Sequence, residues 1–357
     1  MFKYIYTYCG GKFQSYSHPA ISRRFIRFAK VNKINLLDFY QSKNINGVIV
    51  LSQAADFTYW VKNKNCNNIF IFDANDPYLL DNKKSFKNLF RGIFKYFTGN
   101  HKYLEFNYIK SFLNLCYKSN CIVTGHFLLY EKLNQKFNNV FLIPDYSIES
   151  NILHKHIYEQ QSIEKINIFW EGLGSSYLPF SDIERIFKKV SNKYNYEFHF
   201  VTDLNFFSVG DKFFKKNTIN LAKKMAPTMF NTFKFYEWSE VVMNKIAISC
   251  DFSIIPLPID NSMNFFKPEN KLIHMWRMKL PTIVSAIPSY INVMNQVQLD
   301  DYCYNDDEWL KKIQLFSLNS NVRRRNGEDG FNFVNNNYSN EMIDQKWRNV
   351  LNFLNEN

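Results

Sequence analysis

Lys267 and Lys271 lie at the predicted start of a helix in the sequence KPENKLIHMWRMK (267–279). Pro268 is typical of a first helical turn, and the apolar residues that follow it recur at helical spacing. The first turn of a helix presents free backbone N–H groups and the positive end of the helix dipole. Two lysines beside such an end could hold an anion, most simply a phosphate group. The residues therefore predict an anion-binding site at 267–271.

Two short apolar segments enclose this helix. Residues 251–256 (DFSIIP) and 282–286 (TIVSA) are each predicted as a buried strand. A strand, a helix and a second strand make a βαβ unit, which places the N-terminus of its helix at the carboxyl edge of a parallel sheet. That edge is where α/β proteins bind their ligands, so the predicted elements put the lysines in a position suited to binding.

The same stretch resembles the donor site of family 4 glycosyltransferases with the GT-B fold. The similar residues are those of KPENKL (267–272) and LPTIVS (280–285), which match the family's Lys-x-x-Asn-Lys-Leu helix start and its Gly-x-Pro-Val strand. His274 lies where many members carry the glutamate that holds the donor ribose, and Lys279 replaces the usual glycine before Leu-Pro. The resemblance covers most of the chain and is most specific at 233–290.

The resemblance implies an α/β chain with the GT-B fold, in which two doubly wound Rossmann-like domains face a central cleft. It implies transfer of a hexosyl or related sugar from a nucleotide-sugar donor to a glycan or lipid-linked acceptor, in the synthesis of cell-surface polysaccharide. It favours retention of the anomeric configuration over inversion. The lysines and the helix end would stabilise the leaving diphosphate, so neither a metal ion nor a cofactor is expected besides the nucleotide-sugar substrate.

The predicted domain organisation follows from chain length and from one polar segment. The 357 residues suffice for two α/β domains, each with its own core. Residues 1–150 are predicted as an acceptor-binding domain and 165–337 as a nucleotide-sugar-binding domain. The segment 149–164, rich in His, Glu and Gln, is the predicted linker. By the resemblance, 338–357 would form a helix that crosses back to the N-terminal domain.

The predicted donor-binding residues lie at strand ends or at the helix start in the C-terminal domain. They are Gly172, Gly174, Ser175, Thr202, Asp203, Trp238, Asn270, Lys271 and His274. The glycine-rich turn at 172–176 follows a predicted strand and precedes a helix, a context in which backbone N–H groups cradle phosphate. By the resemblance, Trp238 would line the pocket for the base; the alternative is a surface aromatic residue at a helix start. His274 would contact a phosphate or a sugar, or else pack in the core.

The N-terminal half offers candidates for catalysis and for acceptor binding at the ends of its predicted strands. Gly10 and Gly11 follow the first strand, where GT-B enzymes commonly have a glycine pair that faces the cleft; the alternative is an ordinary tight turn. Asp76 follows a later strand and is either functional or part of a turn. His126 ends another strand, with a helix cap or a buried contact as the alternative. The predicted catalytic residues are Lys267, Asp76 and His126.

Residues 82–98 predict a basic amphipathic helix. One predicted face is apolar (Phe86, Leu89, Phe90, Ile93, Phe94 and Phe97), and another is basic (Lys83, Lys87, Arg91 and Lys95). Such a helix can lie on an anionic membrane surface, so 83–97 is the predicted point of membrane contact. The alternative is an ordinary helix that packs on the core and exposes its basic face to water.

The net charge of +12 suits an anionic substrate, an anionic membrane surface or nucleic acid. The chain is rich in Phe, Tyr, Asn, Lys and Ile, which share A/T-rich codons, so a biased genome explains why aromatic residues and lysines are frequent. No nucleic-acid motif is present. Nucleic acid is therefore not an expected partner. A non-enzymatic basic binding protein stays open as an alternative, as does an epimerase or a phosphorylase with the GT-B fold.

Cellular location is predicted from three features. No segment reaches the length of a membrane span, and the N-terminal residues lack the apolar core of a signal peptide. The six cysteines are scattered, which predicts neither a disulfide framework nor a zinc site, and His154 and His156 lack a third ligand. We expect a cytoplasmic protein that attaches peripherally to the inner face of the cell membrane.

Overall fold

The computed structural model describes residues 4–11, 19–64, 67–75, 86–146, 152–159, 165–174, 178–189, 195–208, 213–260 and 262–356. The predictions for Asp76, Ser175 and Lys83 lie outside these residues. At 86–90 only the backbone of the helix is described, so the prediction for the Lys87 side chain also lies outside the description. The chain divides into two compact units, one formed by 1–148 with 338–357 and the other by 149–337. Each unit contains a six-stranded sheet whose strands all run parallel, with helices on its faces. The predicted α/β class with two Rossmann-like units is therefore confirmed.

Strands and helices alternate along most of both units. The first unit contains β1 (Tyr6–Cys9), α1 (Pro19–Ser22), α2 (Phe25–Val31), β2 (Leu36–Asp38), α3 (Phe39–Ser42), β3 (Gly47–Ser52), α4 (Phe57–Lys62), β4 (Asn68–Asp73), α5 (Phe86–Phe97), α6 (Tyr108–Lys118), β5 (Cys121–Thr124), α7 (Phe127–Asn134) and β6 (Val140–Leu142). The second unit contains β7 (Lys165–Glu171), α8 (Leu178–Phe187), β8 (Asn195–Thr202), β9 (Asn205–Ser208), β10 (Phe213–Asn217), α9 (Thr218–Met225), a 3₁₀ turn (Phe230–Thr232), β11 (Phe233–Glu237), α10 (Glu240–Ser249), β12 (Phe252–Ile255), α11 (Ser262–Phe265), α12 (Asn270–Arg277), β13 (Thr282–Ser285), α13 (Pro288–Gln296), β14 (Tyr302–Cys303), α14 (Asp306–Leu318) and α15 (Ser320–Asn337). The last helix, α16 (Asn340–Glu356), belongs to the first unit.

The first sheet has the strand order β2-β1-β3-β4-β5-β6 and is buried on both faces. In β3, Ile49 and Leu51 pack toward one face, whereas Val48 and Val50 pack toward the other. This alternation explains why a strand inside a parallel sheet is an almost continuous apolar run. Helices α4 and α6 cover the first face, and α2 and α16 cover the second, where the Trp347 ring lies edge-on to another aromatic ring in α2.

The second sheet has the strand order β11-β8-β7-β12-β13-β14. Its β12 and β13 pair in parallel, with Ser253 opposite Thr282, so the βαβ unit predicted at 251–286 is confirmed. Strands β9 and β10 form a separate antiparallel hairpin after β8, which sequence patterns did not predict. Among the described residues, every helix is too short or too polar to cross a lipid bilayer.

Helix α15 is held against α12 by a fully buried asparagine. The Asn326 Oδ1 atom accepts hydrogen bonds from the Trp276 indole (3.1 Å) and the Thr282 backbone N–H (2.9 Å). Its Nδ2 atom donates to the Asp301 carboxylate at 2.8 Å. A Cβ added at Gly327 or Gly330 would lie 2.4 Å from the Lys279 carbonyl oxygen or from the Trp276 ring, respectively. The two glycines therefore let α15 approach α12 closely enough for the asparagine to reach its partners.

We expect the substitution Asn326→Ala to lower the free energy of unfolding by roughly 2 to 5 kcal/mol, because it leaves two buried N–H groups without an acceptor. Urea denaturation followed by circular dichroism measures this loss. The control is Asn336→Ala, an exposed position on the same helix, which should change stability by no more than a few tenths of a kcal/mol. Equal stability of the two variants would contradict the role given to Asn326.

Candidate functional site

The candidate site lies at the carboxyl edge of the second sheet, where α12 begins. The Ser289 hydroxyl, in the first turn of α13, donates a hydrogen bond to the Lys267 carbonyl oxygen at 2.6 Å. The Lys267 backbone N–H donates to the Asn264 carbonyl oxygen at 3.1 Å. These two bonds fix the segment that leads into α12, so the helix start has a defined position relative to β13 and α13.

Lys271 joins the start of α12 to the glycine-rich turn after β7. Its ammonium donates to the Glu171 carbonyl oxygen at 2.8 Å and lies 5.2 Å from the centroid of the Trp170 ring. A Cβ added at Gly172 would lie 2.8 Å from the ammonium and 2.5 Å from that ring. Only glycine fits there without a shift of its neighbours. The structure thus brings together two segments of the predicted donor site, the glycine turn and the helix start.

Lys267 and Lys271 form a pair of cations that repel each other. Burial, and after it the charge of Lys271, lower the pKa of Lys267 to about 8. Neither lysine has a carboxylate within 4 Å in the part of the chain that the structure describes. Glu171 and Glu269 lie close enough to raise the pKa of Tyr290, although burial of Tyr290 is the larger cause. A bound anion would relieve the repulsion between the lysines, so the pair is suited to hold one.

Four other predicted donor-binding residues meet at the ends of the neighbouring strands. A Cβ added at Gly174 would lie 2.5 Å from the Asp203 carbonyl oxygen, which also accepts a 2.5 Å hydrogen bond from the Thr218 hydroxyl. The Trp238 backbone N–H donates to the Thr202 carbonyl oxygen at 3.1 Å. The Thr202 hydroxyl is buried and has no hydrogen-bond partner among the residues described. These residues line the ends of β7, β8 and β11, and their contact with a donor stays a prediction.

His274 lies on α12, one turn after Lys271, and is half-buried. Its Nε2 atom is 3.4 Å from the Met243 sulfur of α10. The side chain therefore takes part in packing between two helices, which was one of the two alternatives for this residue. Asn270 is the first residue of α12 and is half-buried. A direct contact of either side chain with a donor stays a prediction.

The described candidates in the first unit, Gly10, Gly11 and His126, lie at the carboxyl edge of its own sheet. Gly10 and Gly11 are buried directly after β1, and the Tyr40 hydroxyl donates to the Gly10 carbonyl oxygen at 3.3 Å. His126 is buried at the start of α7, and its backbone N–H donates to the Thr124 hydroxyl at 3.1 Å. The roles of the two glycines in acceptor binding and of His126 in catalysis stay predictions.

A buried ionic network next to His126 was not predicted from the sequence. The Arg24 guanidinium is 2% exposed and pairs with Asp73 at 2.7 Å and with Asp145 at 2.9 Å. Asn75 donates to Asp73 at 2.9 Å and accepts from the Gly125 backbone N–H at 2.7 Å. The network connects the ends of β4, β5 and β6. Arg24 lies in the turn between α1 and α2, and an arginine between two apolar helical segments, together with a carboxylate at a strand end, was the signal that could have indicated the network.

Comparisons with known proteins show similarity of fold. No family model and no curated protein sequence matches the chain. The structure of S. aureus TarM in complex with fondaparinux, alpha-GlcNAc-glycerol and UDP is similar with a TM-score of 0.58 at 14% identity, over 88% of this chain and 58% of TarM. WaaG, a glycosyltransferase involved in lipopolysaccharide biosynthesis, gives 0.61 at 10% identity, over 97% of this chain and 99% of WaaG. A glycosyltransferase from Rickettsia africae gives 0.59 at 12% identity, over 98% of each chain.

The chain has the GT-B fold. The sequence resemblance predicted this fold, and the similarity to WaaG over nearly the whole of both chains confirms it. The chain spans little more than half the length of TarM, and at identities of 10 to 14% the likeness is one of fold.

The pKa of Lys267 predicts how the affinity for a nucleoside diphosphate depends on pH. The pKa is lowered to about 8 in the free protein and would rise when an anion binds, so binding above pH 8 requires uptake of a proton. We expect the dissociation constant for a nucleoside diphosphate to change little below pH 8. Above pH 8 it should increase, at most by about tenfold per pH unit. Isothermal titration calorimetry between about pH 7 and pH 9 measures this dependence.

The matched variant is Lys267→Arg, which stays protonated over this range and should give a flat profile. Lys311→Ala, at an exposed position on α14, serves as the control and should retain the pH dependence of the wild type. A wild-type affinity that does not change from pH 7 to pH 9 would show that Lys267 does not touch the anion.

Proposed function

We propose that this protein is a glycosyltransferase that transfers a hexosyl or related sugar from a nucleotide-sugar donor to a glycan or lipid-linked acceptor in the synthesis of cell-surface polysaccharide. The observation that carries the proposal is the pair of uncompensated cations, Lys267 and Lys271, at the start of α12 beside the Gly172 turn. The names of the structural neighbours support it, because WaaG acts in lipopolysaccharide biosynthesis and TarM was crystallised with UDP and a glycan.

The geometry fits the charge changes of sugar transfer. The bond between the anomeric carbon and the diphosphate oxygen breaks, and its electron pair stays on the diphosphate. The anomeric carbon forms a new bond to the acceptor oxygen, whose proton passes to the leaving diphosphate. Lys267, Lys271 and the N–H groups at the start of α12 stabilise the negative charge that develops on the leaving group. We propose that the transfer retains the anomeric configuration and that these protein groups replace a metal ion at the diphosphate.

The substitution Lys271→Gln tests the proposed function. Glutamine keeps a hydrogen-bond donor for the Glu171 carbonyl oxygen but removes the charge, so we expect the fold to be retained. The dissociation constant for a nucleoside diphosphate should increase by roughly 10- to 150-fold, which corresponds to the loss of a charge-assisted hydrogen bond. Transfer from a panel of nucleotide-sugars, assayed by mass spectrometry in EDTA, should fall in parallel.

The control for this variant is again Lys311→Ala, which should bind and transfer as the wild type does. Wild-type affinity for nucleoside diphosphates in Lys271→Gln would contradict the proposed donor site. Wild-type activity that EDTA abolishes and magnesium or manganese restores would contradict the metal-independent part of the proposal.

The basic face of α5 differs from the sequence prediction. Arg91 and Lys95 were predicted to lie on an exposed basic face of α5. In the structure both are turned toward the Tyr108 ring of α6, at 5.6 Å and 4.7 Å from its centroid, and the Lys95 ammonium donates to the Tyr108 hydroxyl at 3.0 Å. That part of the prediction is wrong, because a neighbouring aromatic ring attracts the two cations more favourably than the exposed side of the helix does.

The exposed surface at the end of α5 is instead aromatic and aliphatic. The exposed fractions of Phe94, Phe97 and Phe106 are 56%, 79% and 55%, and Tyr96 and Leu104 are also exposed. A Cβ added at Gly92 would lie 2.0 Å from the Glu105 carbonyl oxygen, so the segment 104–106 packs directly against α5. In a chain of net charge +12, an exposed apolar surface of this kind suits the interface of an anionic membrane. We propose that the protein works in the cytoplasm and contacts the inner face of the cell membrane at this surface.

Vesicle co-sedimentation tests the membrane proposal. We expect the protein to sediment with vesicles that contain phosphatidylglycerol, less so at high salt, and not with neutral vesicles, because the net charge of +12 attracts the protein to an anionic surface. The double variant Phe94→Ser, Phe97→Ser should lose most of this binding. Tyr117→Ser removes an aromatic residue that is 70% exposed elsewhere in the same unit and should bind as the wild type does. A wild-type protein that stays in the supernatant at low salt would contradict the proposal.

A further inference from the structure

The second unit contains a cavity of about 660 Å³. It lies at the carboxyl ends of β12, β13 and β14 and is bordered by α8 and by the start of α14. Of the predicted donor-binding residues that the structure describes, none lines it. Its volume is in the range of small-molecule sites, and its position is the edge at which α/β sheets bind ligands.

The charged groups of this cavity do not suit an anion. Its two cations are paired with carboxylates that also line it: Lys189 contacts Asp306 at 3.0 Å, and Arg185 contacts both Asp182 at 2.9 Å and Asp306. Asp260 and Asp307 are exposed and have no ion pair within the described ranges. Four carboxylates against two cations leave a formal charge of −2 in a chain whose net charge is +12.

The acidic residues at the start of α14 make the cavity still less suited to an anion. Helix N-termini usually attract anions, but in this helix Asp306, Asp307 and Glu308 occupy the first turn. Their charges offset the helix dipole, and the Asn305 side chain already accepts a hydrogen bond from the Glu308 backbone N–H at 3.0 Å. A nucleotide or another phosphate ester is therefore disfavoured in this cavity.

The remaining lining groups suit a sugar. The Tyr304 ring is 53% exposed, and the Trp309 side chain and the aliphatic residues Leu257 and Ile259 add apolar surface. An aromatic ring can pack against the C–H face of a pyranose. The free carboxylates of Asp260 and Asp307 can accept hydrogen bonds from hydroxyl groups of a sugar.

We propose that this cavity binds a neutral saccharide and is a second carbohydrate site, separate from the donor site. If the protein is a glycosyltransferase, as proposed above, the occupant is a sugar unit of a glycan remote from the reacting end. Binding at this cavity is a property of the second unit alone, so it can be measured without donor and without transfer.

Saturation-transfer NMR with a panel of neutral trisaccharides built from glucose, galactose and N-acetylglucosamine tests the proposal. We expect millimolar binding of at least one trisaccharide. Tyr304→Ala should weaken this binding by about tenfold or more, and Asp307→Asn by roughly threefold. Tyr304→Phe keeps the ring and should bind nearly as well as the wild type, whereas Tyr117→Ala, which changes an exposed tyrosine of the other unit, should have no effect.

Three outcomes would overturn the proposal: no trisaccharide of the panel binds, binding is unchanged in Tyr304→Ala, or spermidine binds in place of the sugars. The last result would identify a cation site. The affinity of the same variants for nucleoside diphosphates, which should equal that of the wild type, separates this proposal from that of the donor site. Loss of diphosphate binding in Lys271→Gln with retained trisaccharide binding would support both.

Discussion

The close approach of α15 to α12 is the constraint on which the candidate donor site depends. Asn326 is buried with both ends of its amide satisfied, and it bonds at once to α12, to the start of β13 and to Asp301 before β14. A buried amide is stable only when all its hydrogen bonds form, so few relative positions of these elements are allowed. The position of α12 is therefore fixed through Trp276, and the segment that leads into its first turn can hold Lys267 close to Lys271 although the two cations repel each other.

The two units hold their strand ends in place with different kinds of side chain. In the first unit, the strand ends are connected by the buried cation of Arg24, and that charge is compensated within the protein by Asp73 and Asp145. Such a network orients its members strictly, because an unpaired buried charge is costly. In the second unit, the neutral side-chain amide of Asn326 holds the elements together. Lys267 and Lys271, at the edge of the sheet, have no carboxylate partner among the described residues. The paired charge of Arg24 stabilises the fold, whereas Lys267 and Lys271, which lack carboxylate partners in the described residues, are available to bind a ligand.

The sequence predicted the elements that are locally determined and missed those that depend on distant partners. The βαβ unit at 251–286 was predictable because its apolar runs and prolines define strands and a helix. Helix α15 was missed because its sequence, SNVRRRNGEDGFNFVNNN, is polar and contains two glycines, and those glycines are favourable only because the Lys279 carbonyl oxygen and the Trp276 ring lie directly against them. The orientation of Lys95 was predicted wrongly because spacing along one helix cannot show the Tyr108 ring on the next. The lysine pair was predictable from residue types, but the lowered pKa of Lys267 arises from burial that only the tertiary structure creates.

The distribution of charge is more informative about ligands than the net charge of +12. At the start of α12, two cations without carboxylate partners in the described part of the chain lie near the positive end of a helix, which is an arrangement that suits an anion. At the start of α14, three acidic residues offset the same helix effect, and the adjoining cavity has an excess of carboxylates. Both helix starts lie at the carboxyl edge of the same sheet. From the backbone alone, both would be expected to attract anions. Side-chain charge distinguishes them, so a single Rossmann-like unit can present one surface for an anionic leaving group and another for a neutral, hydroxyl-rich ligand.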